Sequence, residues 1–344
     1  MAPTIYEVAQ RARVSTATVS RALNGTAPVA ARTLRRIAAA IEELGYEPNR
    51  VARSLVTSAT DTIAILLPDI TNPFFPDLVK GAQLLADERH YTLLLLNTES
   101  DGDREDAYLR TLRGKQIDGV ILVGVVMSGD HIRRILGEER PIVVLDRMTD
   151  LAPQDATAVQ LNHGLGAELA VQHLLDLGHR AIAHVTGPQG LPLVRQRAAG
   201  YRSTLRRAGI APTSALVSAG DFTEEGGYRA TLRLLRRGIP FSAIFAANDL
   251  SAVGAMAALE GDRLHVPDDV SVVGFDDIHL SSYTTPGLTT IRQPTYEMGR
   301  RAAEVLIDRI ERAPTPYPPI IMFEPELVVR RSTAAPGRTA KEVG

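Results

Sequence analysis

Cysteine is absent from the 344 residues, which excludes a disulfide framework and thiolate metal sites and fits a reducing cytoplasm. Lysine is scarce, at Lys80, Lys115 and Lys341 only, so arginine carries nearly all the positive charge and its placement, rather than its type, is informative. Long hydrophobic runs are missing: the longest, Gly119 to Met127, is far shorter than the about 20 residues that span a bilayer. The N-terminus has no charged region followed by an apolar stretch, so no secretory signal and no membrane partner are expected. Catalytic signatures are lacking too. Gly164-Leu165-Gly166 has no third glycine of a dinucleotide fingerprint, no phosphate loop is present, and no Ser/His/Asp set or metal-spaced His pair is found. Asp276 and Asp277 are adjacent, and adjacent carboxylates rarely converge on one reacting atom. No enzyme, cofactor or metal is expected, and Asn24-Gly25-Thr26, despite its glycosylation pattern, reads only as a turn.

What is present is a chain too long for one core and 44% hydrophobic, so two or three units are expected. The net charge of −2 is unevenly placed. Residues 1–56 hold eight Arg against four Glu, a net of +4, which leaves −6 for the remainder. A basic head on an acidic body favours one anionic partner at one end, with affinity that falls as salt rises.

The head reads as short helices. Thr4 can cap the first with Glu7 reaching back, and Ile5, Val8, Ala9 and Ala12 keep a helical apolar stripe. Ser15 can cap a second, which buries Val19, Ala22 and Leu23 and presents Thr16, Ala17, Ser20 and Arg21, groups able to meet base edges and phosphates. A third carries Leu34, Ile37, Ala38, Ile41 and Leu44, with Gly45 where a C′ residue should fall.

From Thr62 short apolar runs alternate with amphipathic stretches. Strands are expected at Ile63–Leu67, Leu93–Leu96, Val120–Val126, Ile142–Leu145, Ile182–Val185, Leu216–Ser218, Ile244–Ala246 and Val270–Val273, with helices between most of them. Doubly buried strands joined by helices mean parallel α/β sheets, and two sets of four suggest two lobes. In such sheets ligands sit outside the carboxyl ends of the strands. There the sequence places Asp69 and Asn72 to Phe75, Asp146-Arg147, Asp221-Phe222, Asn248-Asp249 and Asp276-Asp277, a mix of aromatic faces with carboxylates, amides and a guanidinium that suits a polyhydroxylated ligand. The plainer readings are that Phe74 or Phe75 belongs to the core, that Asp276 caps a turn, and that Asp249 is the N-cap of its helix.

The string Thr4 to Asn24, with Glu43-Leu44-Gly45-Tyr46, Pro48-Asn49 and Val51-Ala52-Arg53-Ser54-Leu55, closely resembles the headpiece of the LacI/GalR family of bacterial transcription regulators. The resemblance continues through Asn72-Pro73-Phe74-Phe75, Leu145-Asp146-Arg147, Leu177-Gly178-His179-Arg180, Ala247-Asn248-Asp249, Val273-Gly274-Phe275-Asp276-Asp277 and Thr289-Thr290-Ile291, covering roughly residues 4–333. It implies an α/β protein: an all-α helix-turn-helix headpiece (1–49), a hinge and linker (50–61), a two-lobed periplasmic-binding-protein-like core of parallel sheets (62–333), and a tail (334–344). Lobe 1 would hold about 62–160 and 293–323, lobe 2 about 161–290 and 325–333. The chain would cross between lobes near Val159–Asn162, Thr289–Gln293 and Met322–Glu326. The helix from Thr295 to Arg312 would return to lobe 1, and the tail from Thr333 is expected to be disordered.

The resemblance also implies roles. Thr16, Ala17 and Arg21 would read bases, Thr4, Tyr6, Thr18, Ser20, Asn24 and Asn49 would contact DNA around them, and Leu55 would wedge into the minor groove. Phe74, Phe75, Asp146, Arg197, Phe222, Asn248, Asp276 and Gln293 would hold a small effector, a sugar or sugar derivative, although a nucleobase suits the same groups. The expected partners are near-palindromic operator DNA, that effector, and a second copy of the chain as a homodimer, with a tetramer left open although the tail has no leucine heptads of a tetramerising helix. The rival is a solute-binding or sugar-processing protein on the same core, which would not need the headpiece.

Overall fold

The computed structural model describes residues 3–24, 27–46, 60–114, 117–124, 127–146, 156–313 and 317–337. Asn49, Leu55, the rest of the expected hinge through residue 59, and the tail beyond residue 337 lie outside the described residues. The chain forms two compact units, Met1–Thr60 and Asp61–Gly344.

In the first unit α1 (Ile5–Arg11), α2 (Thr16–Asn24) and α3 (Ala31–Leu44) close around Val8, Ala9, Ala12, Val19, Ile37 and Ala40. The caps follow the sequence. Glu7 Oε2 accepts from the Thr4 amide at 2.7 Å and its hydroxyl at 2.9 Å, Ser15 Oγ accepts from the Thr18 amide at 3.2 Å, and Gly45 takes the left-handed φ of 60°. The stripe on α3 is a correction: Ala40 is buried, whereas Ala38 is exposed and Leu34 is 41% exposed, because the helix turns its inward face to Ile37, Ala40, Ile41 and Leu44 as it crosses the other two.

The second unit opens with β1 (Thr62–Leu67), α4 (Phe74–Glu88), β2 (Thr92–Asn97), α5 (Gly102–Gly114), β3 (Gly119–Val123), α6 (Gly129–Leu136), β4 (Ile142–Leu145) and β5 (Ala156–Leu161). The second lobe follows: α7 (His163–Asp176), β6 (Ile182–Thr186), α8 (Pro192–Arg207), β7 (Val217–Ala219), α9 (Glu224–Arg236), β8 (Ala243–Ala246), α10 (Asp249–Gly261), β9 (Ser271–Val273) and β10 (Thr290–Arg292). α11 (Thr295–Ile310) and β11 (Ile320–Phe323) return to the first lobe, and β12 (Glu326–Val328) pairs antiparallel with β10. The sheets are parallel, ordered β2-β1-β3-β4-β5-β11 and β7-β6-β8-β9. Alternation along β1 explains the layering, because Ile63, Ile65 and Leu67 face α4 and α11 while Ala64 and Leu66 face α5 and α6. The chain passes between the sheets after Leu161, Arg292 and Phe323.

Three expectations about the body need correction. Among the described residues the strands number twelve rather than eight: β5, β10, β11 and β12 lie at the crossings, where Thr157 and Gln160 in the buried β5, and Arg292, Glu324 and Glu326 in or beside the short β10, β11 and β12, blur the apolar signal. The Val120–Val126 strand stops at Val123. The tail does not come loose at Thr333: its hydroxyl is 2.9 Å from His173 Nε2, and the Ala334 carbonyl accepts from His179 Nε2 at 2.9 Å and from the Ser271 hydroxyl at 3.1 Å. Those side chains lie far back in the sequence, so a local reading of small polar residues could not see them.

Candidate nucleic-acid interface and effector cleft

On the head, Arg13 adopts a φ of 50° in the turn between α1 and α2, and Arg36 of α3 fastens that turn by donating to the Ala12 and Arg13 carbonyls. Tyr6 (74% exposed), Ala17 and Arg21 face solvent, and Arg21 Nε folds back to the Ala17 carbonyl at 3.2 Å. Thr16, Thr18 and Ser20 are half-buried, with the Thr18 and Ser15 hydroxyls 2.9 Å apart. Thr4 is exposed but engaged with Glu7, and only the backbone of Asn24 is described, as the last residue of α2. α2 thus offers a methyl, hydroxyls and a guanidinium on one rigid helix whose neighbours fix its orientation.

In the body the strand ends converge on one buried guanidinium. Arg197, on α8 and 3% exposed, stacks 3.7 Å from the centroid of Phe275, approaches Phe222 at 5.9 Å, donates to the Ala247 carbonyl and lies 4.0 Å from Asp276 Oδ1. Phe275 is set by Gly166, where a Cβ would fall 2.6 Å from its ring, and Phe222 lies over Gly187 in the same way at 2.3 Å. Gln293 Nε2 donates to Asp276 Oδ1 at 2.6 Å, and its buried Oε1 has no partner among the described residues. From the other lobe Asp146 Oδ1 meets His163 Nε2 at 2.7 Å, and the Nδ1 of His163 receives Arg197. Asp146, Phe222 and Asp276 all have positive φ, at 58°, 71° and 125°, the kind of strained backbone that gathers at ligand sites.

Burial pushes the Arg197 pKa down against the pull of Asp276, Asp146 and Asp249, and pushes the Asp276 carboxyl well above its ordinary value against the pull of Arg197. At Asp146 burial is outweighed by His163 and Arg197, and the carboxyl stays low. The buried His163, His179 and His184 and the half-buried His173 are all held below 6.5, chiefly by burial, His184 at about 4 where it stacks between Tyr201 and Phe245. Each gains a proton more readily when unfolded. Their contribution is therefore intact above pH 6.5 and is lost as pH falls below it, with His184 alone accounting for roughly 3 kcal/mol by the time pH 4 is reached. The melting temperature should fall from pH 7 to pH 5, and His184→Phe should flatten that fall; an unchanged slope would contradict this assignment.

The expected effector residues separate into two groups. Asp146, Arg197, Phe222, Asp276 and Gln293 meet in one network, as described. Phe74 and Phe75 open α4 edge to face at 5.0 Å, each 9% exposed, within the core under the end of β1, and neither belongs to the contacts around Arg197. Asn248 spends its amide on structure: Oδ1 accepts from the Ser251 amide at 3.0 Å and Nδ2 donates to the Phe222 carbonyl at 2.9 Å. It is Asn248, rather than Asp249, that caps α10. Asp249 is buried and accepts from the Ile278 amide at 2.9 Å and from the Ser281 and Thr290 hydroxyls. His163 and Phe275 escaped the sequence reading, although Phe275 sits inside the motif that supplied Asp276.

The family pattern described as bacterial regulatory proteins, lacI family, matches residues 4–49, and a periplasmic binding protein-like domain matches residues 171–333. The ribose operon repressor of Escherichia coli K12 is 40% identical over 331 residues, covering 96% of this chain and 99% of its own. The HTH-type transcriptional repressor CytR of the same strain is 35% identical over 335 residues, 97% of each. Among solved structures, the lac repressor dimer bound to operator and the anti-inducer ONPF superposes with a TM-score of 0.86 at 29% identity, over 97% of this chain and 100% of that one. A LacI family regulator from Enterococcus faecium with bound ribose gives 0.73 at 33%, over 80% and 99%. A helix-turn-helix head on a two-lobed core with a charged cleft defines a ligand-controlled DNA-binding transcription regulator. This chain belongs to the bacterial lacI family.

Proposed function

We propose that this regulator is a cytoplasmic repressor that holds a near-palindromic operator as a homodimer and releases or tightens it when a small sugar enters the cleft. In this reading Thr16, Ala17 and Arg21 meet base edges and Thr4, Tyr6, Thr18, Ser20 and Asn24 position the phosphates. The observation that carries the effector half is the buried guanidinium of Arg197 on an aromatic face, between Asp276 of its own lobe and Asp146 of the other. Such a set holds hydroxyl pairs bidentately and can pull two lobes together. The ribose in the Enterococcus regulator and the ribose operon repressor support a pentose, so D-ribose is the first probe. Coupling between cleft and operator is expected at about 1 to 3 kcal/mol and is reciprocal.

The DNA half is tested by mobility shift on upstream DNA from its own genome at physiological salt. Arg21→Ala should weaken operator binding by about 1 to 3 kcal/mol and leave nonspecific binding nearly unchanged. A wild-type protein that prefers no sequence would end the repressor reading. A thermal-shift series with D-ribose, other sugars and purines tests the cleft, a ligand at 100 times its Kd adding about 2.7 kcal/mol of stability.

A further inference from the structure

Asp146 belongs to the first lobe and Arg197 to the second, and one imidazole lies on the line between them. His163 Nε2 is 2.7 Å from Asp146 Oδ1, and its Nδ1 is 3.2 Å from Arg197 Nη2 and 3.4 Å from Nε. A guanidinium only donates, so Nδ1 accepts and the ring proton sits on Nε2, directed at Asp146. The three side chains are nearly closed to solvent, at 3% for His163, 8% for Asp146 and 4% for Arg197. We propose that His163 is the positioning residue of the cleft: its neutral ring latches Asp146 of one lobe to Arg197 of the other. An effector that engages both groups must take over those bonds. The inference rests on the effector assignments above for its consequence, but the latch itself is read from contacts among the chain's own side chains.

Only the neutral ring can serve both neighbours. A second proton would turn Nδ1 into a donor facing the guanidinium, and that contact would become repulsive. Burial holds the His163 pKa below 6.5, with Arg197 adding to that and Asp146 opposing it. The charged groups acting on the ring are Asp146 after β4 and Arg197 on α8, and Arg197 is in turn acted on by Asp276 after β9 and Asp249 at the start of α10. Gln160 of β5 and Gln196 of α8 line the same recess with neutral amides, and Phe275 lies 6.0 Å away, ring to ring. Acid should therefore open the latch at His163, while Asp276, whose proton is also gained at low pH, is common to every variant compared.

Because the sequence has no cysteine, two exposed loop residues can be labelled without background: Thr71→Cys after β1 in the first lobe and Gln189→Cys after β6 in the second. Spin labels at this pair report the inter-lobe distance in the full chain without added effector. At pH 8 wild type and His163→Gln, which keeps a donor and an acceptor, should give the same narrow distribution, and His163→Ala a longer, broader one. On acidification wild type should shift toward the His163→Ala distribution while His163→Gln shifts less. Identical distributions for all three at pH 8, or a pH response in His163→Gln equal to wild type, would overturn the latch. Should His163→Ala not fold, the pH comparison of wild type with His163→Gln decides alone. None of these readouts needs the effector, so a wrong sugar assignment leaves the distances as expected and a wrong latch leaves the sugar binding untouched.

Discussion

Gly299→Val should destabilise the body by at least about 3 kcal/mol and lower its melting temperature by roughly 6 to 12 °C. α4 and α11 meet at paired glycines. A Cβ on Gly299 would lie 2.0 Å from the Leu78 carbonyl oxygen, and one on Gly81 would lie 2.0 Å from that of Tyr296. Both obstacles are backbone, which cannot swing aside as a side-chain tip can, so the helices must part. Parting them opens the core in which Leu78, Met298, Ala302 and Leu306 are fully buried. Gly261→Ala is the control, since among the described residues nothing lies within 4 Å of its added methyl, and it should be neutral or raise stability by up to about 1 kcal/mol. Calorimetry on both variants checks the pair; equal melting temperatures would show that the helices can slide apart at little cost.

Arg197→Met should abolish the effector response while leaving operator binding in place, and should cost about 3 to 5 kcal/mol at neutral pH, the typical cost of stripping a buried ion pair of one partner. Methionine keeps the length of the stem and its contact with Phe275 but removes the charge that Asp276 and Asp146 face. The sign of the pH dependence follows. Without the guanidinium the Asp276 carboxyl rises further above its value of 3.8 in the unfolded chain and Asp146 loses part of the pull that holds it low, so the folded variant holds at Asp276 a proton that the unfolded chain has released. That contribution is present at low pH and is lost as pH rises through the raised value. The stability gap between variant and wild type should therefore be smallest near pH 5 and widen toward pH 8. A gap that does not change with pH would mean that neither carboxyl depends on Arg197. Loss of operator binding together with the effector response would assign Arg197 a structural role.

The two lobes were legible because each central strand is a short run of apolar residues bounded by polar ones, and such a run needs cover on both faces. Ile142–Leu145 is the extreme case, expected and observed with the same ends. Elements that live on contacts between distant segments were not legible. β10 and β12 are three residues each and find their partners across the crossings, and α6 compresses Asp130, His131, Arg133 and Arg134 into eight residues. At the cleft, residue type at strand ends singled out Asp146, Asp276 and Phe222. It could not single out His163, whose part depends on which two side chains stand on either side of its ring.

The order of residues by itself determined the basic three-helix head, the alternation of strand and helix behind it, and the chemistry at the strand ends, because hydrophobic period and charge placement are local properties of the chain. Only the tertiary structure decided that Asn248 caps α10 while Asp249 is buried among hydroxyls, that the segment after Thr333 is pinned by His173 and His179, and that one imidazole joins the lobes. The physical reason is that hydrogen bonds and ion pairs act over a few ångströms of space, whatever the number of residues between the partners.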